Sequence, residues 1–313
     1  MIREFHDKGL IWPVSDAEYN AIFDGVANCW MEEMKVSDQT GVDVLIASFG
    51  VTRRVASYLQ VLLAMQRIPD VDFTDWLEEN RPDIRVPAKT GRLRRVAKFL
   101  LLNRFTPKNI SHALADGLTI SLGTFSRLKR EFLKREGGIV FHRVAEDFLQ
   151  WDAPYVLPFS SYSLLNRILA LAADLKIEVG IHQGSLCSIV TILIAHICVI
   201  YIKTLHSSVS PIRRVLLSEV SKGPNKAVCL ALKRRFGTEI IGFEHGNTFG
   251  MLRSKYFAIR DLAHCDKYVV ATKGSVLNFE ANRDASMFPY GLNTRIEAID
   301  SDYYRSLYEQ NRR

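Results

Sequence analysis

The chain has 313 residues, 48% hydrophobic and 24% charged, which fits one large or two small packed domains and excludes a globally disordered chain. Its 41 Lys and Arg outnumber its 34 Asp and Glu, leaving a formal charge of +7 that admits an anionic partner. Five cysteines, Cys29, Cys187, Cys198, Cys229 and Cys265, lie scattered without a CxxC pair, which argues against a zinc cluster or a disulfide framework and fits a reducing compartment.

The opening MIREFHDKGLIWP is broken by charge and proline and lacks the apolar core of a secretory signal, so a cytoplasmic protein is expected. A helix is expected from Asp16 to Lys35. Val42 to Phe49 (VDVLIASF) is a compact apolar run ending at Gly50, and Arg53 to Gln66 follows with helical spacing; strand, turn and helix in that order start an α/β unit. Ile68 to Pro87 reads as a loop with a short helix at Phe73 to Asn80. It leads into an amphipathic helix from Gly91 to Asn103, whose Leu93, Val96, Ala97, Leu100 and Leu101 share one face and whose arginines take the other.

The basic residues Lys89, Arg92, Arg94, Arg95, Lys98, Arg104 and Lys108 follow one another with no acidic residue between them, and Arg127, Lys129, Arg130, Lys134 and Arg135 form a second cluster relieved by Glu131. Such stripes attract phosphate, nucleic acid or an anionic membrane, or simply form a solvated helix face. Two helical stretches are expected from Thr106 to Glu136, ended by Gly137-Gly138 before the apolar run Ile139 to Phe141. Trp151 to Pro158 is a loop and Leu164 to Leu175 a helix. The uncharged run Leu186 to Ile202 falls just short of the ~20 residues that span a bilayer; it fits a buried strand, a helix and strand in succession, or a membrane segment.

The clearest unit comes next. Arg214 to Leu217 is a strand, Lys226 to Phe236 an amphipathic helix stopped by Gly237, and Glu239 to Phe243 a second strand. Lys267 to Ala271 is a further buried strand, followed by Lys273-Gly274-Ser275 and a helix. Ligands of such parallel sheets gather beyond the carboxyl ends of the strands, where this chain places Glu219 and Glu244-His245-Gly246.

His245 at a strand end can titrate in a cleft, Gly246 lets backbone approach a ligand, and Asn247 and Thr248 offer hydrogen bonds. Glu219 precedes Lys222-Gly223-Pro224-Asn225-Lys226, a segment that can present amides and positive charge to an anion, although capping also explains Asn225. If Glu219 and His245 face one crevice, carboxylate and imidazole can share proton transfer to an acceptor hydroxyl. His182 precedes the apolar run and is a further lining candidate. The eight histidines show no HxxxH or HExxH spacing, so no metal is expected, and no GxGxxG or GxSxG motif occurs. His264-Cys265-Asp266 reads as the end of a helix.

The order of a strand, Glu219, a helix, a strand, His245-Gly246 and then a strand opening Asp266-Lys267-Tyr268-Val269 resembles the N-terminal half of bacterial surface-polysaccharide glycosyltransferases of the two-Rossmann-domain (GT-B-like) type. The resemblance covers Val215 to Gly291, with Glu244 where those families carry glutamine. It implies a Rossmann-like parallel sheet flanked by helices with a helix-rich N-terminal part. Residues 1–288 would form that domain with helical insertions at about 90–135. Residues 289–313, from the Phe288-Pro289-Tyr290-Gly291 hinge, would begin a second domain that this chain lacks or that a partner supplies.

It also implies His245 and Glu219 as catalytic residues and Glu244 and Gly246 as substrate-binding residues; Asn247, Thr248, Lys222, Asn225 and His182 are expected to bind substrate from their own positions and chemistry. The donor would be a nucleotide-sugar with no separate cofactor. The acceptor would be a glycan or lipid-linked, with peripheral contact at the inner face of the cell membrane. The competing expectation is a non-catalytic basic protein that binds nucleic acid or anionic membrane through the Lys89 to Lys108 stripe.

Overall fold

The computed structural model describes residues 12–69, 71, 73, 118–124, 126–136, 140–143, 160–207, 211–244 and 254–311. The elements in chain order are α1 (Asp16–Val36), α2 (Gln39–Ser48), α3 (Val51–Arg67), β1 (Leu118–Leu122), α4 (Arg127–Glu136), β2 (Val140–Arg143), α5 (Ser160–Asp174), a 3-10 turn (Gly180–His182), α6 (Gln183–Leu205), β3 (Ile212–Leu217), α7 (Gly223–Phe236), β4 (Glu239–Phe243), a π-helical turn (Ala258–Leu262), β5 (Lys267–Val270), α8 (Lys273–Asp284), β6 (Arg295–Ala298) and α9 (Asp302–Asn311). They fold as two compact units, Met1–Arg85 with Pro154–Cys198 and Val86–Ala153 with Val199–Arg313.

The described part of the first unit is helical. α1 starts at a capping box: the Ser15 hydroxyl accepts from the Glu18 amide, and the Glu18 carboxylate accepts from the Ser15 amide. Its Trp30 is fully buried and donates from Nε1 to Ser48 Oγ at 3.4 Å, while buried Glu33 pairs with Arg167 of α5 at 3.1 Å. Val42 to Phe49 is not a strand. Its residues belong mostly to α2, where the Asp38 carboxylate caps the Gly41 amide at 2.7 Å and Val44, Leu45, Ile46 and Ala47 are all buried. A run buried on every side has no periodicity that separates helix from strand, and the Asp38 cap decides for the helix.

Leu186 to Ile202 likewise forms one helix, α6, with no strand in it. Gly180–Leu205 is long and apolar enough to cross a membrane, with mean hydropathy 2.4 over a window of which half is buried inside the protein.

The second unit is a six-stranded parallel sheet in the order β2-β1-β3-β4-β5-β6, flanked by helices: a Rossmann-like α/β fold. The expected strand, helix, strand unit is present, with β4 over Glu239–Phe243 and Gly237 in the left-handed conformation at φ 67°. α7 opens earlier than expected, at Gly223, with Pro224 in its first turn where a missing amide hydrogen does no harm. β1 corrects a second expectation: Leu118 to Leu122 is a strand, not part of a helical stretch. Arg295–Ala298, in the stretch read from sequence as hinge and second domain, pairs with β5 in this same sheet.

Each face of the sheet has its own core. Leu128 and Phe132 of α4 pack with Leu216, Ile241, Phe243 and Val269, and the Phe132 and Phe243 rings meet edge to face at 5.3 Å. Tyr268 alternates with Val269 and therefore points to the other face, where its ring lies 6.1 Å from Phe257 and 5.4 Å from Phe279. Burying each such side chain contributes about 1.5–3 kcal/mol. Asp266 ties the edge of β5 to its neighbours: it accepts from the Ile240 amide at 2.8 Å and pairs with Lys233 of α7 at 2.6 Å. Arg135 anchors the end of α4 by donating to the carbonyls of Ile299 and Asp300, just beyond β6.

Candidate functional site

From β1 the chain passes to β2 on one side, while β3 lies on the other, so the strand order reverses between β1 and β3. In doubly wound parallel sheets that reversal opens the ligand crevice at the carboxyl ends of the strands. The residues gathered there are Gly123, Ser126, Lys129, Ser218, Glu219 and Lys222.

Gly123 follows β1 at φ 74°, and a Cβ on it would lie 2.5 Å from the carbonyl oxygen of Ser218 and 3.2 Å from Oε2 of Glu219. Only glycine allows this approach of the two strand ends. The Ser218 amide donates to the Leu122 carbonyl at 3.1 Å, and its hydroxyl lies 3.4 Å from that of Ser126. Glu219 has φ 58°, a left-handed backbone that a non-glycine residue adopts at a cost on the order of 1–3 kcal/mol. Its side chain is 20% exposed and meets the Lys222 ammonium at 3.0 Å, while the Lys222 amide donates to its carbonyl.

Beneath the loop, Lys129 is fully buried. Its ammonium donates to Ser121 Oγ at 3.0 Å, to the Leu122 carbonyl at 2.9 Å and to the Thr124 carbonyl at 3.1 Å. Burial pushes its pKa down to about 7, and the nearby Glu219 carboxylate opposes that shift. Three donors meet three acceptors that bracket Gly123, so this lysine fixes the shape of the β1 to α4 loop. α4 and α7 both begin at this edge of the sheet, and Lys222, the N-cap of α7, gives it no side-chain cap, leaving first-turn amides available to an anion.

Comparison with protein-family models, curated proteins and solved structures finds no match to this chain.

Of the residues singled out by sequence, Glu219 and Lys222 meet at the crevice. Asn225 is buried as the third residue of α7 and is not its cap, a position held by Lys222. Glu244 joins strand ends: its amide donates to the Val269 carbonyl and its carboxylate accepts from the Ala271 amide, both at 2.9 Å. Burial raises its pKa, against the lowering by that amide. His182, half-buried, closes the 3-10 turn in the first unit. His245, Gly246, Asn247 and Thr248, like the stripe from Lys89 to Lys108, lie outside the described residues. His264 follows the π-helical turn, as expected of a helix end; it is fully buried and held below its usual pKa, chiefly by desolvation and then by Lys226 and Lys233. Among the described residues no three His, Cys, Asp or Glu side chains come together as metal ligands.

Lys129, Gly123, Ser126 and Ser218 were not expected at the site. A signal existed for Lys129, which stands three residues before Phe132 and so on the buried side of its helix.

Proposed function

We propose that this chain is a glycosyltransferase-like protein that moves a sugar from a nucleotide-sugar to a hydroxyl of a glycan or lipid-linked acceptor. The acceptor oxygen bonds to the anomeric carbon, the bond from that carbon to the diphosphate breaks, and the nucleoside diphosphate leaves with the electron pair. Glu219 takes the acceptor's proton. The observation that carries the reading is the left-handed backbone of Glu219 at the strand-order reversal. Strained non-glycine residues persist where the surrounding structure holds them, and they concentrate at functional sites. Its exposure of 20% leaves the carboxylate reachable, and Lys222 beside it supplies a positive charge for an anionic leaving group. His245, two residues beyond β4, is the second group proposed for this chemistry.

The test is calorimetry of the purified chain against a panel of nucleotide-sugars, with release of nucleoside diphosphate followed in parallel. One donor is expected to bind saturably, and Glu219→Gln is expected to keep that binding while slowing release at least ~100-fold, the scale of a lost general base. A folded chain that binds no nucleotide-sugar, or a Glu219→Gln variant with full turnover, rejects the reading.

A further inference from the structure

A second concavity in the Rossmann-like unit is lined by residues of α4 and α9, none of which is among the residues gathered at Glu219. It has a volume of about 670 Å³, and the residues that give it character are Arg127, Arg130, Lys134, Glu131, Asp302 and Tyr303. Arg127, Arg130 and Lys134 fall at positions i, i+3 and i+7 of α4, on one face, over about 10 Å of helix axis. All three are exposed and none forms an ion pair with a described residue, although two carboxylates line the same groove. Glu131 keeps Oε2 buried without a hydrogen-bond partner, and the Arg127 guanidinium lies 3.7 Å over the Tyr303 ring.

We infer that this groove binds a small molecule bearing a pyrophosphoryl group, and that a nucleoside diphosphate is the class its lining fits. Three cations without an ion-pair partner among the described residues, spaced along a helix, exceed what one tetrahedral phosphate engages, whereas two linked phosphoryl groups reach them together, with arginine supplying forked donors. The stacked Arg127 and Tyr303 pair offers a flat cationic surface of the kind on which nucleobases rest. The Glu131 and Asp302 carboxylates can accept from ribose hydroxyls, and they disfavour a continuous phosphate backbone, which would bring charge against them. The volume lies within the ~300–1,000 Å³ of small-molecule sites. This assignment stands without the transferase reading, because none of its residues belongs to the Glu219 crevice.

The experiment is titration calorimetry of the whole chain with inorganic pyrophosphate, orthophosphate and the common nucleoside diphosphates. Pyrophosphate is expected to bind at least tenfold more tightly than orthophosphate, and one nucleoside diphosphate more tightly still. Arg130→Ser with Lys134→Ser is expected to weaken both at least tenfold, and Tyr303→Ala to weaken the nucleotide alone. Arg53→Ser with Arg54→Ser removes two exposed arginines of α3 and is the control for net charge. Should the groove pair unfold the chain, as circular dichroism would show, Arg130→Gln and Lys134→Gln separately take its place. Equal losses in groove and control variants, no pyrophosphate binding, or tighter groove-dependent binding of a short RNA would each overturn the assignment. Glu219→Gln leaves binding here intact if the groove is a separate site, so failure of either proposal is visible without the other.

Discussion

The two connections that meet at the strand-order reversal are built alike and balanced differently. Each leaves its strand through a left-handed residue, Gly123 at φ 74° after β1 and Glu219 at φ 58° after β3. Each then enters a helix whose first turn carries a fully buried lysine, Lys129 in α4 and Lys226 in α7. In the first connection every element agrees: the left-handed residue is glycine and the ammonium has three acceptors. In the second the left-handed residue is a glutamate, and Lys226 Nζ has no hydrogen-bond partner among the described residues. Natural sequences break local rules mainly where function requires it, and the β3 to α7 connection, which breaks them, is the side on which the proposed function puts its chemistry, with the β1 to α4 connection proposed as its support.

The largest expected effect falls on the supporting side. Lys129→Met takes a donor from the Ser121 hydroxyl and the Leu122 and Thr124 carbonyls, of which Leu122 keeps the Ser218 amide, and frees the loop that brackets Gly123. A loss of about 3 kcal/mol in urea-unfolding stability is expected at neutral pH. A loss below about 1 kcal/mol would mean that the three hydrogen bonds do not hold the loop.

The opposite sign is expected for Lys226→Met. Desolvation lowers the pKa of Lys226 from its ordinary 10.5 to about 8; Asp261 opposes this, Arg260 adds to it and Cys265 opposes it. At pH 7 the folded chain therefore holds a buried cation with no hydrogen-bond partner among the described residues. Replacement by an apolar side chain of similar length is expected to stabilise by about 1.5 kcal/mol. Between about pH 8 and the ordinary lysine range the unfolded chain keeps a proton that the folded chain has released, so this group makes stability rise with pH. Unfolding at pH 7.5 and 9.5 should show a smaller rise in Lys226→Met than in the parent chain; an identical rise refutes the account.

How much of this was legible in the sequence differs between the same two connections. The β3 to α7 unit was readable because Val215 to Leu217 is a compact β-branched and leucine run, Gly237 stops the helix, and Glu239 to Phe243 follows at once. These local signals placed Glu219 at a strand end. The β1 to α4 connection was not readable, since Leu118 to Leu122 is only five residues long and abuts a basic helix, whose pattern absorbed it. In sequence Lys129 reads as surface charge like its neighbours, because a charge run does not say which cation turns inward. Val42 to Phe49 failed for the reason that fully buried runs generally fail. The roles of Asn225 and Glu244 depend on contacts between elements, which no single segment encodes: Glu244 serves Ala271, 27 residues away.

The smallest expected effect is the sharpest test of which side works. Glu219→Gly removes the side chain from a left-handed position that glycine occupies without strain. Against that relief stand the extra flexibility of glycine in the unfolded chain and the lost contact with Lys222, whose side chain is 61% exposed, so that the contact adds little. The balance is a stability unchanged or raised by up to about 1 kcal/mol, measured by urea unfolding beside Glu219→Gln, which keeps the strain and loses the charge. If Glu219→Gly is as stable as the parent or more so, while donor turnover is lost, the glutamate is held in its strained conformation for what its carboxylate does. If it is destabilised by more than 1 kcal/mol, the carboxylate and its lysine hold the two strand ends together, and the search for the reacting group moves to His245.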